Sequence, residues 1–503
     1  MPTDCSAGRF EFARVEGRAV VASFDGGTIT SDAGTLLLGA TDRAIGLVRR
    51  FAACFVDRRA ADQVEHGVAT LVGQRVFALA LGYEDLVDHD QLRHDPVLAA
   101  VTGKLTARRS GCAALAGKST LNRLEHAPAG EPTRYHKIGH DGAAIERLFV
   151  ELFLDAYGIP PAEIVLDLDA SRPGRVRLHS SRGQQAPEAT TRCMAPRRAG
   201  SFTATMAATA ISRSTCSAAT ICWQRSCAAR ASTPAPARWR RSRGSWRTSA
   251  AAGPLRGRHA GLDPCGTGST APRSMVRLIL RADSGCARDE LMSWCEANAV
   301  DYVLGLARNA RLVGAIAGEL ALAKAEAEQS GKAARCFKDF RYQTLDSWSR
   351  ERRVVGKAEQ LLGSDAEPSP NPRFMVTSLA AAAWAPKPLY EELYCARGEM
   401  ENRIKECQLD LFADRTSTGT MRANQLRLWF ASLAYVLLEA LRRIALPATR
   451  LAQATAGTIR LRLLKIGALV GVSVRRVAVQ MASGHPWQRD WAIAYQALST
   501  AAG

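Results

Sequence analysis

Four carboxylates in this chain stand where they could do chemistry. Asp167 and Asp169 lie in Ile164-Val-Leu-Asp-Leu-Asp169, an apolar run that reads as a buried strand. A strand's period of two puts Val165, Asp167 and Asp169 on one face. Asp283 ends a second such run, Val276 to Asp283. The fourth acid, Glu401, falls on a predicted helix from Tyr390 to about Leu411, where Tyr394, Arg397, Glu401 and Lys405 share one side. Leu393, Met400 and Ile404 form the apolar side. A buried acid is costly unless it is paired or holds a metal. Two aspartates and a glutamate from two strands and a helix can hold a pair of hard cations, Mg²⁺ or Mn²⁺. Such a pair stabilises both the attacking and the leaving oxygen of a phosphodiester displacement. An arginine and a lysine beside the glutamate would grip phosphate. Any one acid alone fits a salt-bridged helix face or a solvated strand end equally well; the set is what points to chemistry.

Positioning those acids requires ordered elements around them. Val20 to Gly27 reads as a strand and turn, followed by helix from Ser31 to about Ala53. A helix over Val64–Leu81, closed by Gly82, precedes another from His89 to Val101. Helix, glycine turn, helix suggests a DNA-binding module, although packed helices of no special function show the same pattern. Helices are predicted from Ser119 and over Gly142–Tyr157, then Ala287–Asn298, residues 310–330 and Ala423–Leu446. Tyr302 to Leu306 reads as a strand, and residues 335–380 alternate like strands. Ile459 to Leu463 and Val472 to Val477 also look like strands.

The charge is unevenly placed. The 503 residues carry a net +19, but residues 171–272 hold 17 arginines, no lysine, and only Glu188 and Asp263 as acids. The rest of the chain has 50 basic and 46 acidic side chains. The central stretch also lacks helical or strand period. It reads either as a disordered basic linker or as coding sequence in a shifted frame. Tryptophan has one codon, so the bases under Arg238 to Arg247, which include Trp239 and Trp246, are well constrained. Begun one base earlier with GC-rich codons, they can encode Val-Glu-Glu-Val-Ala-Arg-Ile-Val-Glu-Asp, an amphipathic helix. The same offset turns Thr205 to Ala210 into a plausible strand. The shifted-frame reading, across roughly 172–270, is therefore preferred.

The motifs resemble those of the DDE transposases of bacterial insertion sequences. The resemblance rests on Leu166-Asp-Leu-Asp-Ala170, Leu280-Arg-Ala-Asp-Ser-Gly285 and the run Tyr394-Cys-Ala-Arg-Gly-Glu-Met-Glu401. Tyr394, Arg397 and Glu401 match the Tyr-x2-Arg-x3-Glu signature of one group. The lysine usual seven positions after the glutamate is Gln408 here, and Lys405 stands one turn after Glu401 instead. Phe24 to Gly34 and Gly457 to Leu461 also look familial. The resemblance covers roughly 10–170 and 275–480. It implies an α/β fold: a ribonuclease H-like mixed sheet flanked by helices, with a helical N-terminal domain and a strand-rich insertion before the catalytic glutamate helix. It implies Asp169, Asp283 and Glu401 as the metal-holding acids, with Asp167 as the alternative to Asp169. Tyr394, Arg397 and Lys405 would contact DNA. The implied cofactor is Mg²⁺ or Mn²⁺, two ions. The implied partners are double-stranded DNA, as terminal inverted repeats and target, and further copies of the chain.

The expected organisation is a helical DNA-binding region over 1–158 and the first part of the catalytic domain over 159–309. The strand-rich insertion follows over 310–385, and the glutamate helix with the C-terminal region over 386–503. Composition agrees with a globular chain, 47% hydrophobic and 23% charged. No run reaches the ~18 apolar residues of a membrane span, and no signal peptide is apparent, so a cytoplasmic protein with mostly reduced cysteines is expected. Ala116-Gly-Lys-Ser-Thr120 is not a phosphate-binding loop, because the required first glycine is out of place. Cys216, Cys222 and Cys227 lack zinc-ligand spacing.

Overall fold

The computed structural model describes residues 9–127, 133–159, 161–168, 203–208, 217–224, 276–362 and 368–501. Asp169 and the bulk of the arginine-rich stretch lie outside the described residues. The chain divides into two compact units, Met1–Ala156 with Ile404–Gly503, and Tyr157–Arg403.

The first unit is mainly helical. Its axis is the helix Met421–Ala445, in which Leu426, Trp429, Phe430, Leu433 and Leu437 are all buried. This is the stripe a helix presents to a core. No helix among the described residues is long and apolar enough to cross a membrane. Around that axis pack Thr35–Ile45, Val68–Ala80 and Gln488–Ala501. The single helix expected over Ser31–Ala53 is two, Thr35–Ile45 and Leu47–Ala52, because Gly46 turns the chain through a left-handed conformation (φ 63°). The helix expected over His89–Val101 is likewise split into His89–Leu92 and Pro96–Val101. Pro96 cannot continue a helix, and Asp95 caps the second piece by accepting the Leu98 N–H. No continuous second helix of a helix-turn-helix therefore forms there, and every residue from Leu71 to Ala80 on the preceding helix is buried.

Three small sheets complete the unit. β1 (Phe10–Val15) and β2 (Arg18–Ala22) form an exposed hairpin, and β4 (Phe55–Asp57) pairs with β5 (Ile138–His140). β3 (Ile29–Thr30), β15 (Ala468–Val472) and β16 (Val477–Met481) make the third. Two expectations fail in this region. Ile459–Leu463 is helical rather than a strand, since Ile459, Leu463 and Leu464 are buried at helical spacing. Val472–Val477 is not one strand: Val472 and Val477 end β15 and β16, and residues 473–476 turn between them.

The second unit is built on a nine-stranded mixed sheet. Its strands are β6 (Glu163–Leu168), β7 (Thr203–Ala208), β8 (Ser217–Gln224), β9 (Arg277–Ala282), β10 (Asp301–Leu306), β11 (Ala334–Tyr342), β12 (Arg352–Leu361), β13 (Ser369–Pro370) and β14 (Arg373–Thr377). The order is β11-β12-β14-β10-β9-β6-β8-β7, with β13 on β12. β6, β9 and β10 are adjacent and parallel, and β8 runs parallel to β6 on the other side. The strands from β11 to β14 pair antiparallel and extend the sheet beyond β10. Alternation along β9 and β10 divides the core. Leu280, Ala282, Tyr302 and Leu304 face the helix Asp289–Ala297, and Ile279 and Val303 face Leu389, Tyr390 and Leu393. The strands β11, β12 and β14 lie where residues 335–380 were expected to alternate.

Candidate active site

Of the motif residues that the structure describes, Asp283 sits at the carboxyl end of β9 and the Tyr394 phenol reaches that edge, while Asp167 lies inside β6. In open sheets with parallel strands, that edge is where ligands bind. Asp283 is the first residue past β9. Its Oδ1 accepts the Gly285 N–H at 3.0 Å and so caps a short 3₁₀ turn, Ser284–Cys286. Its Oδ2 has no hydrogen-bond partner among the described residues.

The helix expected from Tyr390 onward is interrupted. Leu389–Tyr394 forms a π-helical turn, and the α-helix begins at Arg397 and runs to Leu411. Tyr394, Arg397, Glu401 and Lys405 therefore do not share one regular helix face, because the wider turn changes the direction of Tyr394. Its phenol lies over Gly305 in β10, beside the backbone of Asp283 and Ser284. A Cβ at position 305 would collide with the Tyr394 hydroxyl and come within 2.9 Å of the Ser284 nitrogen. Glycine is what allows the ring to reach the strand end. Burial pushes the Tyr394 phenol up from its ordinary pKa; the Arg397 cation opposes this and the Asp283 charge adds to it. The hydroxyl thus stays protonated and able to donate.

Arg397 donates from Nη1 to Glu401 Oε1 at 2.6 Å, one turn along the helix. The Glu401 side chain keeps 45% of its exposure, while that of Arg397 keeps 16%. The cation is thus held against the protein with the carboxylate at its open end. Lys405 follows one turn later and is exposed.

Asp167 has a different surrounding. It is 1% exposed and faces Arg281, its cross-strand partner on β9. Arg281 donates Nε to Oδ1 at 2.5 Å and Nη2 to Oδ2 at 2.7 Å, and Nη1 to the Leu393 carbonyl at 2.6 Å. Both oxygens of Asp167 are occupied, and the same guanidinium holds the residue before Tyr394. Burial raises the Asp167 pKa, and Arg281 opposes the rise. Sequence reasoning did not find Arg281 or Gly305. An arginine inside a buried strand, two residues before Asp283, demands an acid and could have been paired with Asp167. A glycine inside the apolar strand Tyr302–Leu306 signals a close approach.

Among the described residues, no group of three His, Cys, Asp or Glu is placed to hold a metal. Asp283 and Glu401 supply hard oxygen donors, both partly exposed, with Arg397 beside Glu401. That donor chemistry suits Mg²⁺ or Mn²⁺ and does not suit a soft metal.

The sequence matches a family model described as Transposase DDE domain group 1, over residues 12–196 and 262–502. The unmatched interval falls inside the arginine-rich stretch. No curated protein matches the chain. Since the matched residues span most of the chain, on both sides of that interval, this protein belongs to the DDE transposase family.

Proposed function

We propose that this chain is the transposase of an insertion sequence, cutting DNA at the element's ends and joining those ends to target DNA. The observation that supports the reading is the Tyr394 hydroxyl against the backbone of Asp283 and Ser284 at the end of β9, with Arg397 near it and paired to Glu401. The order of acids along the chain and the adjacent parallel strands β6, β9 and β10 favour a ribonuclease H-like arrangement. Asp169, Asp283 and Glu401 would be the metal-holding acids. The occupied oxygens of Asp167 favour Asp169 as the first of them.

In cleavage, a water oxygen bonds to phosphorus as the bond to the 3′ oxygen breaks, and the leaving oxygen takes up a proton. In joining, the freed 3′-hydroxyl attacks a target phosphodiester in the same way. Bound Mg²⁺ or Mn²⁺ ions, two in number, supply charge for the attacking and leaving oxygens. The residues of the chain prepare that site. The Gly285 N–H holds one oxygen of Asp283 and so orients the other. Arg397 fixes the Glu401 carboxylate and brings positive charge toward the DNA backbone. The protonated Tyr394 hydroxyl donates toward the DNA backbone, and Lys405 reaches it from the next turn. By resemblance to the family, the working form is a multimer on paired DNA ends.

The test is nicking of DNA carrying the flanks of the gene by the purified chain with Mg²⁺ or Mn²⁺. Glu401→Gln should abolish nicking and leave binding unchanged; unaltered nicking would sink the assignment.

A second reading is a DNA-binding remnant that no longer cuts. The interruption of the family match over 197–261, inside the arginine-rich stretch, favours it. A central catalytic segment translated in the wrong frame could not hold the acids within the roughly 0.5 Å that a site requires. Salt-sensitive binding by the unaltered chain with no nicking in either ion would decide for the remnant. Resequencing the gene across codons 165–280 shows whether one frame change at each edge restores the motif.

A further inference from the structure

The last stretch of the chain, residues 446–503, carries seven basic side chains against a single acid, Asp490. Three of the seven are committed within the first unit. Arg450 pairs with Asp490 through Nε at 3.0 Å, and Lys465 pairs with Asp32 at 2.7 Å. Arg460 is turned inward onto the carbonyls of Ala80 and Asp410. The remaining four, Arg462, Arg475, Arg476 and Arg489, are exposed and form no ion pair among the described residues.

Two of those four stand at the tip of a braced finger. The β15–β16 hairpin is anchored at its base, where Ala468 packs with Ala33 and Ile466, and Val479 and Met481 lie against them. Toward the tip the packing stops, and every residue from Gly471 to Arg476 is exposed. Ser473 closes the turn. Its N–H donates to the Arg476 carbonyl at 2.9 Å, and its Oγ accepts the Arg476 N–H at 3.2 Å. Val474, at the apex, is fully exposed. Elsewhere in the stretch the Arg462 guanidinium lies 4.4 Å from the centre of the Trp487 ring, which orients it without neutralising it.

We infer that this hairpin is a DNA-contacting element, with Arg475 and Arg476 at its tip gripping the phosphates of a duplex. The inference rests on the transposase reading, since it deepens the identity of the DNA partner's contact surface. Unpaired guanidinium groups on a rigid ribbon repel one another in the free protein and gain most from a polyanion. Guanidinium forks match phosphate geometry. A two-stranded ribbon has the width that a major groove admits. The helix pair at 64–101, by contrast, is packed into the first unit and offers no continuous recognition helix.

The experiment is binding of the full chain to a short random-sequence DNA duplex, read by fluorescence anisotropy across roughly 50–200 mM salt. The double change Arg475→Ala with Arg476→Ala should weaken binding about tenfold or more and lower the slope of log K against log salt by about 1–2. Arg475→Lys with Arg476→Lys should keep most of the slope. Thermal unfolding should be unchanged in both, since neither arginine has a partner to lose. The arginine-rich centre contributes to every measurement, so the difference between variants is the readout. An alanine pair that binds as the unaltered chain does, with the same slope, overturns the inference and leaves the transposase reading standing. A lysine pair that loses as much as the alanine pair overturns the phosphate grip. An unaltered chain that does not bind duplex DNA at low salt defeats the transposase reading itself.

Discussion

The two units of this protein both bury closed ion pairs, but the sheet unit also carries motif carboxylates that stay open. In the helical unit, buried ions are closed within the protein. Glu125 is inaccessible and receives Arg75 on one oxygen at 2.8 Å and Arg427 on the other at 2.7 Å. Glu406 takes the Arg442 guanidinium at 2.8 Å, the Tyr435 hydroxyl at 3.2 Å and the Ala456 N–H at 2.5 Å. The sheet unit also closes ions, Asp167 with Arg281, Arg352 with Glu296 and Arg353 with Asp339, but Asp283 at its strand end and Glu401 on its helix stay open. Asp283 has one oxygen engaged, and Glu401 is nearly half exposed with Arg397 beside it. A carboxylate with every oxygen occupied holds architecture together. One with an open oxygen can take a ligand.

The contrast is broken most sharply by substitution at the open acids. Asp283→Asn should lower metal-dependent nicking roughly 10³-fold or more with binding and unfolding midpoint unchanged. A drop in stability of the same variant would instead put Asp283 among the closed ions. The next largest effect is on the closed pair. Arg281→Met leaves Asp167 buried without its counter-charge and should cost about 3–5 kcal/mol in urea unfolding. Asp167→Leu combined with Arg281→Met should recover most of that stability. Nicking should stay low in the double variant, because the Leu393 carbonyl loses the donor that holds the turn before Tyr394. Full recovery of nicking would reduce Arg281 to architecture alone. Gly305→Ala comes third. It forces the Tyr394 hydroxyl off the strand end, with a stability loss of about 1–3 kcal/mol, and a KM for DNA that rises more than kcat falls would place Tyr394 in substrate positioning.

The smallest effect separates the units by pH. His66 and His140 are held down to about 4 and His89 to about 3, chiefly by burial. His89 is further kept neutral by the Gln74 amide, which donates to its ring at 2.9 Å. All three belong to the helical unit, and the sheet unit has no histidine among its described residues. The unfolded chain takes up protons on these histidines near pH 6.5 while the folded unit does not. Stability of the helical unit should therefore fall as pH drops from about 6.5 toward 4. Hydrogen exchange at pH 7 and pH 5 should show amides of 68–80 losing protection while those of β9 and β10 keep theirs.

Much of the site was legible in residue types and spacing. Asp283 stands at the end of its strand, and Arg397 and Glu401 make the contact that a four-residue spacing permits. The elements that failed did so for identifiable reasons. Ile459–Leu463 alternates like a strand, but the burial of Ile459, Leu463 and Leu464 follows a helical repeat that the longer context imposes. The π-turn before Arg397 leaves no mark on apolar periodicity, because Leu389, Tyr390 and Leu393 are buried in either geometry.

What the sequence determined by itself is local: strand and helix period, and membership of a transposase family through short motifs. These depend on residues within a turn or two of one another. Only the tertiary structure decided which acid was already paired, that Gly305 makes room for Tyr394, and that Arg281 reaches the Leu393 carbonyl. Those contacts join residues up to 114 positions apart. Their energies depend on burial and on which side chains meet across the sheet, quantities that no local pattern carries.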